Sequence, residues 1–125
     1  MTYITNLDIF VCMKKQYNQL PQVAFSILLA LSLKERHGYE IIKQVEEDSN
    51  SKIRLSPGAL YTSIKQLLEQ KLVVEINRND DTRRRYYRLS DKGKSVLSQE
   101  LDYYQNTIAL ARERQVLEIH YGVYC

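Results

Sequence analysis

The side chains best suited to do chemistry in this chain are cations, and most of them fall in one stretch. Between positions 52 and 94 lie Lys52, Arg54, Lys65, Lys71, Arg78, Arg83, Arg84, Arg85, Arg88, Lys92 and Lys94. Against these eleven stand Glu69, Glu75, Asp80, Asp81 and Asp91, so the window carries a net +6. The whole chain carries +3, which leaves the remainder at −3. Guanidinium and ammonium groups gathered in this way displace counterions from phosphate, so the chemistry indicated is polyanion binding. Arg83, Arg84 and Arg85 taken alone also fit a merely solvated hairpin. The surrounding +6 window and the helix beside it favour a nucleic-acid face.

Other chemistries lack their residues. Cys12 and Cys125 lie near opposite ends with no CxxC pair, and His37 and His120 are isolated, so no metal-ligand spacing exists. A Cys12–Cys125 disulfide is open geometrically, but two free thiols is the preferred reading for a reducing compartment. Gly38, Gly58, Gly93 and Gly122 form no phosphate-cradling GxGxxG or GxxxxGK[ST] loop. With no constellation of nucleophile, base or metal ligands, neither an enzyme nor a cofactor is expected. The 125 residues, 44% hydrophobic and 26% charged, suit a single small globular domain. No apolar run is long enough to span a bilayer. Asp8, Lys14, Lys15 and Gln16 break up the first twenty residues, which do not read as a cleavable signal. A cytoplasmic location is expected.

The elements that must position these cations follow from periodicity. Residues 1–18 place Tyr3, Ile4, Leu7, Phe10 and Val11 at helical spacing. From Leu20 and Pro21 a mostly buried helix runs through the apolar stretch 23–31 and closes near Lys34 to Gly38. A second helix, Gly38 to about Glu47, has Tyr39, Ile41, Ile42 and Val45 as its apolar stripe. Ser56 as N-cap and Pro57 in the first turn open a third, with Leu60, Ile64, Leu67 and Leu68 on one face. Residues 72–76 are strand-like, 77–82 form a polar turn, and 83–89 return with period two. That alternation sets Tyr87 and Leu89 on one face, Tyr86 and Arg88 on the other, and Arg84 opposite Arg85. Ser90–Asp91 cap a last helix from about Lys92 to Glu118, where Leu97, Leu101, Tyr104, Ile108 and Ala111 repeat at four, three, four and three. Such a heptad seam suits a second chain better than one compact core. The expected fold class is mainly α: a winged helix-turn-helix of three helices and a two-stranded β-wing. The expected organisation is an extension over 1–19, the DNA-binding domain over 20–91, a dimerisation helix over 92–118 and a tail over 119–125.

The motifs HGYEI, LSPGALYTSIKQL and RRRYYRLSDKG occur in that order, and across about residues 20–116 the chain resembles the PadR family of transcriptional regulators. The resemblance implies a homodimeric winged-helix repressor of the small type, with one helix after the wing packed on the first helix and on its counterpart in the partner. It implies that Ser56, Gly58, Ala59, Thr62 and Ser63 face the major groove, where short side chains allow close approach. Lys65, Arg83, Arg84 and Arg85 would meet phosphate, which positions a protein without reading sequence. Tyr61 fits either a phosphate contact through its hydroxyl or packing beside Leu60. Some small members hold flat hydrophobic drugs between aromatic residues at the dimer interface, a position that falls on Tyr104. Gln22 and Ser26 are polar opposite it and the chain has no tryptophan, so interface packing is the preferred reading of Tyr104. Two rivals stand beside the DNA-binding repressor: the same fold responding to a small hydrophobic inducer, and a winged helix that binds proteins without touching DNA.

Overall fold

In the computed structural model, residues 19–77 and 84–117 are described. The expectations for residues 1–18, for Arg83 and for the tail lie outside them. The centre of the fold is α1 (Gln22–Leu31), entered through Pro21, whose carbonyl accepts the Phe25 N–H at 2.9 Å. Its apolar run buries Ala24, Ile27, Leu28, Ala30 and Leu31, so α1 is surrounded rather than amphipathic. Around it pack α2 (Gly38–Asp48) through Ile41 and Val45, and α3 (Pro57–Glu69) through Leu60, Ile64 and Leu67. Ser56 caps α3 as expected, accepting the Ala59 N–H at 3.1 Å.

The wing is a three-stranded sheet, one strand more than the sequence suggested. β1 (Arg36–His37) joins β2 (Val73–Ile76) and β3 (Tyr86–Leu89) in the antiparallel order β1-β3-β2. Arg36 pairs with Tyr87 and His37 with Tyr86. Two residues are too few to show alternation, so β1 is set by its partner strand. Arg36 is buried, and its Nε donates to the Ala30 carbonyl at 3.1 Å, satisfying one of the orphan acceptors at the end of α1. The return strand starts at Tyr86 rather than at 83, because Tyr86 already pairs with Ile76, the last residue of β2. Tyr87 and Leu89 do share the buried face.

α4 (Asp91–Glu113) leaves the wing at Ser90, whose hydroxyl donates to the Lys71 carbonyl at 2.6 Å and accepts the Gly93 N–H at 2.9 Å. Ser90 N–H donates to the Leu72 carbonyl at 3.0 Å, and Lys92 Nζ to the Gln70 carbonyl at 3.1 Å. The start of α4 is thereby fastened to the end of α3. A Cβ on Gly93 would collide with the Leu72 carbonyl oxygen, so only glycine permits this approach. α4 stops at Glu113, five residues before the expected end. Gln115 adopts φ 61°, and Val116 N–H turns back to the Ala111 carbonyl at 2.9 Å. Leu97 and Glu100 are buried, whereas Leu101, Ile108 and Leu110 beyond them are exposed in the single chain.

Candidate nucleic-acid interface

The site is built where α2, α3 and the root of the wing meet. His37 ends β1 and caps α2: its Nδ1 accepts the Glu40 N–H at 3.4 Å, while Glu40 Oε1 accepts the His37 N–H at 3.2 Å. This reciprocal capping box puts an imidazole where serine or threonine is usual. Gly38 follows, and the Tyr61 side chain of α3 lies against it. A Cβ at 38 would sit 2.9 Å from Tyr61 Cζ and collide with the hydroxyl. Tyr61 is nevertheless 48% exposed, so it packs through one edge and offers the other to solvent. The packing partner of the hydroxyl end is Gly38 of α2, which the sequence reading did not name.

Between these elements lies an open cleft of about 420 Å³, lined by His37, Gly38, Tyr39, Tyr61, Arg84 and Arg85. Strand alternation would send Arg84 and Arg85 to opposite faces. Both precede β3 and line the same cleft instead. Arg84 Nη1 lies 3.3 Å from His37 Nε2. Arg85 reaches the Tyr87 hydroxyl. Tyr39, 66% exposed, carries Lys43 Nζ 5.8 Å from its ring centroid.

Beside the cleft stands the first half of α3. Ser56, Gly58, Ala59, Thr62 and Lys65 are exposed and Ser63 is half-buried. Gly58 faces open space, its nearest neighbour being Ser56 Oγ at 4.0 Å from a built Cβ. The first turn of a helix has unsatisfied N–H groups and attracts anions. Here that end is surrounded by small side chains, so another backbone can come close. Of the predicted residues, the structure brings Tyr61, Arg84 and Arg85 together in the cleft, while the other α3 residues are exposed or half-buried along the same helix. Arg88 and Lys94 belong elsewhere: with Lys34 they rim a second cleft floored by Leu31, Leu89, Leu97 and Leu101. Part of the +6 window therefore lies off this face.

His37, Gly38 and Tyr39 were not foreseen as part of the site. Glutamate three residues after His37 was the available signal, since that spacing marks a helix start.

The seam of α4 places its residues unevenly. Leu97 is in the core, Leu101 and Ile108 are exposed, and Tyr104 and Ala111 are half-buried. Tyr104 stacks edge-to-face on Phe25 with centroids 5.4 Å apart and donates to Glu100 Oε2 at 3.0 Å. Burial, and secondarily the Glu100 hydrogen bond, raises its phenol pKa above the ordinary value. No group of His, Cys, Asp and Glu among the described residues could hold a metal ion, and no described helix is long and apolar enough to cross a membrane.

Residues 27–99 match the transcriptional regulator PadR-like family. An uncharacterized protein of Lysinibacillus sphaericus is 37% identical over 78 residues, 59% of this chain and 71% of that protein. The fold is similar to a PadR family transcription regulator of Clostridium difficile R20291, with a TM-score of 0.66 and 26% identity, covering 76% of this chain and 99% of that one. It is also similar to Bacillus subtilis PadR solved in complex with operator DNA, with a TM-score of 0.58 and 23% identity over 65% of this chain and 47% of that one.

Proposed function

Because this chain belongs to the transcriptional regulator PadR-like family, whose members are regulators rather than enzymes, we propose that it binds operator DNA as a homodimeric repressor. The observation that carries the reading is the cleft where α3 meets the wing root. It is lined by two guanidinium groups and two exposed tyrosines, one of them Tyr61 of α3, a helix whose small residues in the first turns are also exposed. α3 enters the major groove, where Thr62 and Ser63 meet base edges and Gly58 and Ala59 allow the helix to come close. Arg84, Arg85 and Lys65 take backbone phosphates, joined by Arg83. These contacts set register and affinity without naming bases.

Dimerisation runs along α4. Leu101 and Ile108 are apolar and more than two-fifths exposed in one chain, on the same seam as buried Leu97. A second copy covering that seam would hold two α3 helices at half-sites one turn (~10 bp) or a multiple apart. Tyr104 is engaged by Phe25 and Glu100, which supports packing over an open platform for a flat inducer.

The deciding experiment is a salt titration of binding to DNA from the upstream region of the gene. The reading expects a steep negative slope of log affinity against log salt, flattened when Arg83, Arg84 and Arg85 become alanine. Absence of binding at low salt refutes it and promotes the protein-interaction rival.

A further inference from the structure

One side chain in this face has two partners and a single lone pair to give them. His37 is 8% exposed, at the junction of β1 and α2. Its ring meets Tyr86 of β3 edge-to-face, centroids 5.4 Å apart. Its Nδ1 accepts the Glu40 N–H that caps α2. Its Nε2 lies 3.3 Å from Arg84 Nη1 and 3.4 Å from Glu40 Oε1. A neutral imidazole protonates one nitrogen and accepts through the other, and guanidinium only donates. Accepting from Glu40 N–H puts the proton on Nε2, which then cannot accept from Arg84. Accepting from Arg84 puts the proton on Nδ1, which then cannot serve the cap. Among the described residues, the charged groups facing the ring are Glu40 from its own helix and Arg84 from the wing.

We propose that His37 is a positioning residue coupling the wing to the helix-turn-helix. In the free protein its lone pair is shared between the α2 cap and the Arg84 guanidinium, and it goes to the cap alone when DNA phosphate takes Arg84. This deepens, and rests on, the DNA-binding reading above. The hold is weak enough to surrender: an anionic phosphate oxygen makes a stronger, charge-assisted bond to guanidinium than a neutral ring nitrogen does. It still has to be given up on binding, so the hold competes with phosphate for Arg84. Coupling is reciprocal, so delivery of Arg84 to phosphate tightens the first turn of α2, and a tight cap favours delivery.

The test is a double-mutant cycle read by binding to a mixed-sequence duplex at low salt, since a phosphate contact needs no operator. His37→Asn keeps an oxygen acceptor for the cap but offers nothing to Arg84, so its melting temperature should stay near wild type. His37→Asn frees Arg84 from a contact that is given up on binding, so it is expected to tighten binding by about threefold, a coupling typical of contacting residues. Arg84→Ala should weaken binding, and adding His37→Asn to it should change nothing further. Equal effects of His37→Asn in both backgrounds, no effect in either, or weaker binding in the background that keeps Arg84 overturn the proposal. A second measurement leaves His37 intact. Nitrogen-15 shifts of the ring should move toward the Nε2–H tautomer on adding the duplex, and should already show it in Arg84→Ala without DNA. A ring indifferent to both DNA and Arg84 overturns the coupling. Wild-type protein that fails to bind any DNA removes the functional reading itself, whereas wild-type binding with additive substitutions removes only this inference.

Discussion

Two glycines in helices should respond to the same substitution with opposite signs. Gly→Ala inside a helix ordinarily stabilises by up to about 1 kcal/mol, because alanine loses less backbone freedom on folding. Gly93 sits in the first turns of α4 with the Leu72 carbonyl oxygen inside the space of a Cβ, and the Leu72 carbonyl carbon would lie 3.0 Å away. The obstructing atoms are backbone, and the same carbonyl already accepts the Ser90 N–H at 3.0 Å. Relief requires α4 to move off the chain that enters β2, loosening the Ser90 and Lys92 fastenings with it. Overpacking of this kind costs about 1–3 kcal/mol or more. Setting the propensity gain against the upper part of that range leaves Gly93→Ala destabilised by about 2 kcal/mol, near 10 °C in melting temperature for a domain of this size. Gly58 is the internal control. It lies in α3 with open space around it, so Gly58→Ala should be neutral or stabilising by up to about 1 kcal/mol, yet its methyl intrudes on the proposed DNA face. The assay is urea and thermal unfolding of both variants at one fixed protomer concentration, since the proposed dimerisation would make the midpoint concentration-dependent. Gly93→Ala as stable as wild type would refute the packing argument. Gly58→Ala that binds operator DNA unchanged would refute the close approach assigned to the start of α3.

Three further outcomes follow from the geometry. Arg85→Ala should lower the salt slope of DNA binding by about 0.9, weakening all sequences alike, while Thr62→Ala should change base preference and leave the slope unaltered; competition assays with altered half-sites separate the two. Ile108→Lys puts a charge on the exposed part of the α4 seam without touching the core, so sedimentation should show monomers with a native circular dichroism spectrum, and persistent dimers would move the interface elsewhere. Burial first, then the nearby Glu75 carboxylate, raises the Tyr87 phenol pKa. A raised folded-state pKa means the unfolded chain loses that proton first, so the contribution is complete below the ordinary value of about 10 and is lost as pH rises through the folded value. Stability should therefore fall above about pH 10, less steeply in Tyr87→Phe, and equal alkaline slopes in both proteins would contradict this.

The parts of the fold that the sequence made legible are those where local chemistry and tertiary packing agree. Ser56–Pro57 announces α3 because a cap and a fixed φ act within one turn, and Tyr87 and Leu89 declare the buried wing face by simple alternation. β1 was illegible because Arg36 and His37 form a strand only by virtue of Tyr86 and Tyr87, fifty residues away in sequence. Arg84 and Arg85 were misassigned to opposite faces for a related reason: the ladder runs out at Ile76, so the period-two rule stops applying just before them. The end of α4 turned on the backbone of Gln115, a residue whose side chain carries no stop signal. The seam from Leu97 to Ala111 was visible as a pattern, but its register against α1, which separates buried Leu97 from exposed Leu101, comes from the fastening of Ser90 to the end of α3.

Those two misread places adjoin one another in the structure, and their adjacency bears on how binding is organised. β1 is the start of the helix-turn-helix and also a wing strand, so the wing cannot shift against α2 without breaking a backbone ladder. On the proposed reading, affinity and sequence reading are carried by different residues on a common rigid body: guanidinium groups at the wing root, small polar side chains on α3. A regulator built in this way gains little discrimination from single side chains, because serine and threonine accept several base edges. Discrimination must then depend on holding two copies of the body at one fixed spacing. That places the demand on α4, and it makes the fastening of α4 to α3 through Ser90, Lys92 and Gly93 a determinant of DNA recognition as well as of stability. A variant loosened there but still folded, such as Lys92→Ala, should keep its affinity for a single half-site while losing its preference for correctly spaced pairs. Retained spacing preference in that variant would show that the dimer geometry is fixed elsewhere.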